Sequence, residues 1–141
     1  MAVVYFDASA LVKLVLHEPG SALASALYNR ADVVVTSRIS DVEVRAALAA
    51  GQRAGLLDTV GHADAVASWE RLWPSLAVVE VGDKVSRHAA ELLASSAVPL
   101  RAGDAMHVAS ALALAHPETV VAAWDEHVAE AARERALTVV P

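Results

Sequence analysis

Five short stretches of the chain are apolar almost without interruption: AVVYF at 2–6, DVVVT at 32–36, LAVVEV at 76–81, TVVAA at 119–123 and LTVV at 137–140. None alternates apolar with polar positions, as a strand with one wet face would. Continuous runs of this kind fit parallel strands covered on both faces. Between the runs, apolar residues recur at helical spacing. The first gap predicts helices over 9–17 and 21–28, broken by Glu18-Pro19-Gly20. The second predicts 37–53 and 58–72, divided near Gly55, and the third 83–94 and 101–115, divided at Pro99. The fourth is a short helix over 126–135. The order βααβααβααβαβ predicts an α/β fold with a parallel sheet and helices on both faces. No linker, low-complexity segment or internal repeat interrupts it, so residues 1–141 are expected to form one domain.

Four acids stand where this pattern has no evident use for them. Asp7 sits at the tip of the first run and Asp125 just past the fourth. Ligands of open parallel sheets bind beyond the carboxyl ends of the strands, where the strand order reverses. If the first and fourth strands are neighbours there, both carboxylates face one crevice. In the helix containing SDVEVRAAL, the spacing of Ile39, Val42, Ala46 and Ala50 predicts a buried stripe. Glu43 lies in its middle, whereas Asp41 lies on the far side with Arg38 and Arg45 and reads as solvated. In LRAGDAMHVASAL, Asp104 shares a face with Val108, Ala111 and Ala115, in the first helical turn, where the dipole favours a negative charge. Structural uses exist beside the chemical one. Asp7 or Ser9 can cap the first helix, Asp125 can cap the last, and Glu43 can pair with a buried cation. His107, three residues after Asp104, either lines the same site or packs in the core.

Gathered together, Asp7, Glu43, Asp104 and Asp125 repel one another unless a proton or a cation intervenes. Magnesium and manganese favour oxygen ligands of this type. A cation so held suits metal-assisted hydrolysis of a phosphodiester. The chain has no cysteine, which removes disulfides, thiolate nucleophiles and Cys-bound zinc. Its six histidines form no H-E-x-x-H helix. A net charge of −6 argues against nonspecific phosphate binding, though not against a local basic rim, and suits a partner with a basic tail. Hydrophobic residues make up 56% of the chain, yet no apolar run reaches the roughly 18 residues of a membrane span. The start has no basic region ahead of an apolar one, so the expected location is the cytoplasm.

The fragments YFDASALVKL, SDVEVRAAL, LRAGDAMHVASAL and WDEHVAEAARERAL together resemble the PIN-domain ribonucleases, specifically the VapC-type toxins of bacterial toxin–antitoxin pairs. The resemblance runs over essentially the whole length. It implies strand order 3-2-1-4-5, magnesium or manganese as cofactor, and RNA as substrate. It carries the family's acids onto Asp7, Glu43 and Asp104, with a more variable fourth on Asp125. Its small polar residue falls on Ser9, placed to hydrogen-bond water at the metal or Asp125. Many relatives carry Thr or Ser two residues before the fourth acid; here that position is Ala123. The resemblance also implies a homodimer and a VapB-type antitoxin whose C-terminal segment wraps an apolar groove. Leu48, Leu56, Leu57, Trp69 and Trp73 either line such a groove or pack two helices together. Arg38, Arg45, Arg53 and Arg101 are candidates for RNA phosphate, with a solvated face as the alternative.

Two other functions fit part of the pattern. Asp7 resembles the nucleophile of haloacid-dehalogenase-like phosphotransferases, but they place a second Asp two residues on, where this chain has Ser9. A PIN-like module that only binds a partner is the other, and it has no need of all four acids.

Overall fold

The computed structural model describes residues 1–141. The strands are β1 (Val3–Phe6), β2 (Val33–Ser37), β3 (Ala77–Val79), β4 (Val120–Ala122) and β5 (Thr138–Val140). They form one sheet in the order β3-β2-β1-β4-β5, with every pairing parallel. The helices are α1 (Ala8–Val15), α2 (Ser21–Arg30), α3 (Ser40–Arg53), α4 (Thr59–Leu72), α5 (Asp83–Ser95), α6 (Ala102–Ala113) and α7 (Glu126–Glu134). A short 3-10 turn, Trp73–Ser75, leads into β3. No helix is long and apolar enough to cross a membrane.

The unbroken apolar strands have the expected cause. Val3 and Tyr5 point into one layer, against Val85 and Leu92 of α5, Val108 of α6 and Val128 of α7. Val4 and Phe6 point into the other, against Leu11 of α1, Val44 and Leu48 of α3 and Trp69 of α4. Alternate residues of one strand therefore serve two separate cores.

Helix α3 departs from the expected orientation. The predicted stripe of Ile39, Val42, Ala46 and Ala50 is not the buried one: Val42 is 70% exposed, and the fully buried residues are Ser40, Val44 and Leu48. The helix begins at Ser40, because Ser37 completes β2. The buried Thr36 hydroxyl donates to the Phe6 carbonyl at 2.6 Å and lies 2.7 Å from Ser40 Oγ. That polar contact turns Ser40, and hence Val44 and Leu48, toward the sheet. Glu43 thus sits in the first turn, half exposed, rather than mid-helix and inward. Asp41 is not simply solvated. It accepts from Arg45 Nε at 2.9 Å and from the indole N–H of the buried Trp69 at 2.8 Å. Burial alone would raise its pKa, but the bonds from Trp69 and Arg45 outweigh burial and lower it.

Leu48 and Trp69 belong to the core, whereas Leu56 is 81% exposed. Leu56 and Leu57 border a groove of about 690 Å³ together with Val12 of α1, Leu16 just after it, and Ala47, Ala50 and Gly51 of α3. Helix α6 ends at Ala113, and Ala115, at φ 48°, lies beyond the face that Asp104 shares with Val108 and Ala111.

Two left-handed glycines differ in surroundings. Gly20, which precedes α2, has φ 95°, and a Cβ there would lie 2.7 Å from Trp124 Nε1 and 2.9 Å from Lys13 Cδ. Gly55 has φ 76° with nothing within 4 Å of a Cβ. Alanine at Gly55 bears only the left-handed strain, about 1–2 kcal/mol. Gly20→Ala is expected to lower the melting temperature clearly more than Gly55→Ala in thermal unfolding followed by circular dichroism. Equal losses would mean that Trp124 does not pack over Gly20.

Candidate active site

The chain reverses its strand order at β1: β2 and β3 lie on one side, β4 and β5 on the other. Asp7 directly follows β1, and Asp125 follows β4 after Ala123 and Trp124. The predicted adjacency holds, since β1 pairs with β4 and the Asp7 N–H donates to the Ala122 carbonyl at 3.2 Å. A cavity of about 80 Å³ opens at this edge, lined by Asp7, Glu43, Asp104 and Asp125 together with Ser9, Arg101 and His107. The four acids singled out in the sequence therefore meet.

Capping and cavity lining are not alternatives here. Asp7 caps α1, its Oδ1 accepting from the Ala10 N–H at 2.9 Å and the Ser9 hydroxyl at 2.6 Å. Asp125 caps α7, its Oδ1 accepting from the N–H groups of His127 and Val128 at 2.9 and 3.1 Å. Asp104 Oδ2 reaches back to the Arg101 N–H at 2.9 Å at the start of α6. In each case one oxygen holds a helix N-terminus, where the dipole favours the charge. The other oxygens of Asp7 and Asp104 take no protein donor. The fully buried side-chain polar atoms that lack a partner are Ser110 Oγ and Thr119 Oγ1, so these carboxylate oxygens open on the cavity. Glu43 is held differently, by His107, whose Nε2 lies 2.5 Å from Oε1.

Ser9 is fully engaged. Its hydroxyl donates to Asp7 and accepts from the N–H groups of Trp124 and Asp125 at 2.9 and 3.1 Å. It meets Asp125 through the backbone rather than the carboxylate, and so ties the ends of β1 and β4 together. Arg101, a candidate for RNA phosphate by sequence with a solvated face as the alternative, lies at the rim of the site. Its guanidinium lies 3.3 Å from both Asp104 Oδ2 and Asp125 Oδ2 while remaining 74% exposed. The hydrogen bond to Asp104, then the charges of Asp104 and Asp125, raise its pKa. Its place at i−3 from Asp104 was the available signal. His127 was missed: potential ligand atoms of Asp104, Asp125 and His127 lie within 4.8 Å of one another. Its position two residues after the capping Asp125 carries no signal of this.

Asp7 is 2% exposed, and burial is the main reason its pKa rises from 3.8 to about 6. His107 and the bonds from Ser9 and Ala10 oppose the rise, and Asp125 adds to it. A desolvated carboxyl beside other carboxylates is the environment that a hard divalent cation relieves. The donor set fits such an ion: carboxylate oxygens dominate, several of them free of protein donors.

A family model described as PIN domain matches residues 4–135. The chain belongs to the PIN-domain family. Among relatives, it is 45% identical to Ribonuclease VapC45 of Mycobacterium tuberculosis over 141 residues, covering 100% of this chain and 96% of that protein. The crystal structure of VapC20 of Mycobacterium tuberculosis, a sarcin–ricin-loop-cleaving toxin, matches with a TM-score of 0.70 at 23% identity, over 91% of this chain and 94% of that one. VapBC-5 of the same organism, a member of the VapBC family of toxin–antitoxin systems, matches with a TM-score of 0.60 at 25% identity, over 99% and 97%. The 3-2-1-4-5 sheet and the single domain are thus those of a PIN protein.

Because the Asp7 carboxyl ionises less readily in the folded PIN domain than in the unfolded chain, its ionisation destabilises the fold. That penalty is absent below about pH 4, grows through the interval to pH 6 and is complete above it. At pH 7 it amounts to about 3 kcal/mol. Asp7→Asn keeps an oxygen for Ala10 and Ser9, so in metal-free buffer it should raise the melting temperature at pH 7 and lose that advantage at pH 4. A lower melting temperature at pH 7 would show that the charge itself holds the helix cap.

Proposed function

We propose that this protein is an endoribonuclease toxin of the VapC type, dependent on magnesium or manganese and neutralised by a cognate VapB-type antitoxin in the cytoplasm. The observation that carries this reading is the convergence of four carboxylates, one of them deeply buried, on a single cavity at the reversal of strand order. The relatives named for ribonuclease activity and for toxin–antitoxin assembly support it. Asp7, Glu43, Asp104 and Asp125 are the residues that would hold the ion. A divalent cation bound there supplies Lewis-acid polarisation of the phosphodiester and a more acidic water. Asp7 and Asp104 each keep one oxygen on a helix cap, which orients the other into the cavity. Ser9 holds Asp7 and the Asp125 backbone in register. Arg101, largely exposed at the rim, is placed to take an RNA phosphate in bidentate fashion once the carboxylates turn to a cation.

The acid cluster contains one buried histidine, and that one is engaged on both ring nitrogens. No pair of free histidines is present for cleavage through the 2′-hydroxyl, so the products should carry 5′-phosphate and 3′-hydroxyl ends. The phosphotransferase alternative gives no part to Glu43, which lines the same cavity as Asp7, and Ser9 stands where such enzymes need a second Asp. The groove beside Leu56 and Leu57 suits an apolar segment of the antitoxin, and the exposed Val42, Leu56 and Val60 suit contacts with a second copy.

Antitoxin-free protein incubated with total cellular RNA should make discrete cuts in magnesium or manganese and none in EDTA, with cut ends mapped by sequencing. Glu43→Gln should abolish the cuts while leaving the circular dichroism spectrum intact. Products ending in 2′,3′-cyclic phosphate would sink the hydrolytic mechanism. Absence of cuts in either metal from folded protein would move the reading to a binding module.

A further inference from the structure

Resting on the reading of the acid cluster as a cation site, we propose that His107 is a positioning residue that holds Glu43 with one oxygen toward the cluster, and that Tyr5 anchors the ring of His107 from the core. Asp7, Asp104 and Asp125 are each anchored at a helix N-terminus, Asp7 on α1, Asp104 on α6 and Asp125 on α7. Glu43 has no such cap. It is a long side chain on α3, which packs on one face of the sheet, and its cavity neighbours include α6, from the other face. Ordering a free glutamate there costs rotamer entropy.

His107 removes that freedom. It is 3% exposed, one turn after Asp104 on α6, with Nε2 2.5 Å from Glu43 Oε1 and Nδ1 2.8 Å from Tyr5 Oη. A carboxylate only accepts, so Nε2 carries the hydrogen of the first contact. The other ring nitrogen, Nδ1, is held by the fully buried Tyr5 hydroxyl. The contacts therefore run Tyr5 to His107 to Glu43, from core to cavity. The other carboxylate oxygen, Oε2, lies 3.0 Å from where a Cβ on Gly103 would stand. Glu43 is thus gripped at Oε1 and sits over bare backbone at Oε2, which leaves Oε2 as the oxygen to meet a cation. Partners that orient a metal ligand in this way typically change metal affinity 10- to 100-fold when removed.

The test is the dissociation constant for manganese alone, read by electron paramagnetic resonance of the free ion, with folding checked by circular dichroism. His107→Leu should weaken manganese binding by about 10- to 100-fold. His107→Gln, whose amide donates from nearly the same place as Nε2, should recover part of the loss, and Tyr5→Phe should give a smaller one. In a Glu43→Gln background, His107→Leu should add almost nothing, because the two act as one unit. A folded His107→Leu that binds manganese as wild type does, or whose loss adds fully to that of Glu43→Gln, would overturn the positioning role while leaving the cation site standing. If His107→Leu does not fold, His107→Gln and Tyr5→Phe decide by the same measure. Manganese binding indifferent to Glu43→Gln would overturn this inference while leaving the cation site to the three aspartates, whereas wild-type protein that binds no manganese would remove the cation reading and this inference together.

Discussion

Mutual repulsion among carboxylates in a cavity of about 80 Å³ governs how the carboxyl edge of this sheet is built. Such a cluster survives only if each charge is answered locally. Three acids are answered by the N-termini of α1, α6 and α7, where backbone N–H groups have no helical partners of their own. The fourth is answered by a histidine that reaches it from the opposite layer. Arg101 lies across Asp104 and Asp125 and adds the one positive side chain at the rim. Even so, the carboxyl of Asp7 remains hard to ionise, which marks the site as incomplete in the electrostatic sense.

The sheet makes that arrangement affordable by geometry. With β1 in the middle, its end and that of β4 lie side by side, and the single hydroxyl of Ser9 bonds across them. Below that point the strands are apolar on both faces, so two cores press on the sheet and keep its tips in register. The same strand, β1, supplies Tyr5 to the relay that ends at Glu43 and leads directly into Asp7. Packing and site are therefore continuous, and a shift of one residue in β1 would turn Tyr5 away from His107 and Phe6 toward it.

The side of the molecule formed by α1, α3 and the α3–α4 turn answers to other demands. Trp69 is buried with its indole N–H on Asp41, which pins α4 to the start of α3. Small residues, Ala47, Ala50 and Gly51, leave the adjacent groove open and apolar. The groove is floored by small side chains and rimmed by leucines, and α3 also carries Glu43. The groove and the acid cluster thus share one helix.

Continuous apolar runs and helical spacing between them were enough to determine the parallel α/β class, the element order and the acids Asp7, Asp104 and Asp125, since strand tips and helix first turns are local features. The resemblance of four fragments added the strand order, while Glu43 was singled out from a stripe that is not the buried one. The rotation of α3 was not legible: a stripe through Val42 and one through Val44 are both plausible by spacing, and the buried Thr36–Ser40 contact chose between them. Nor were the seating of Arg101 across two acids and the clasp of His107 on Glu43, which join residues 64 positions apart. Side-chain periodicity records which face of an element is apolar. It does not record which polar groups meet across elements, because those meetings depend on how two separately folded layers come to the same edge of the sheet.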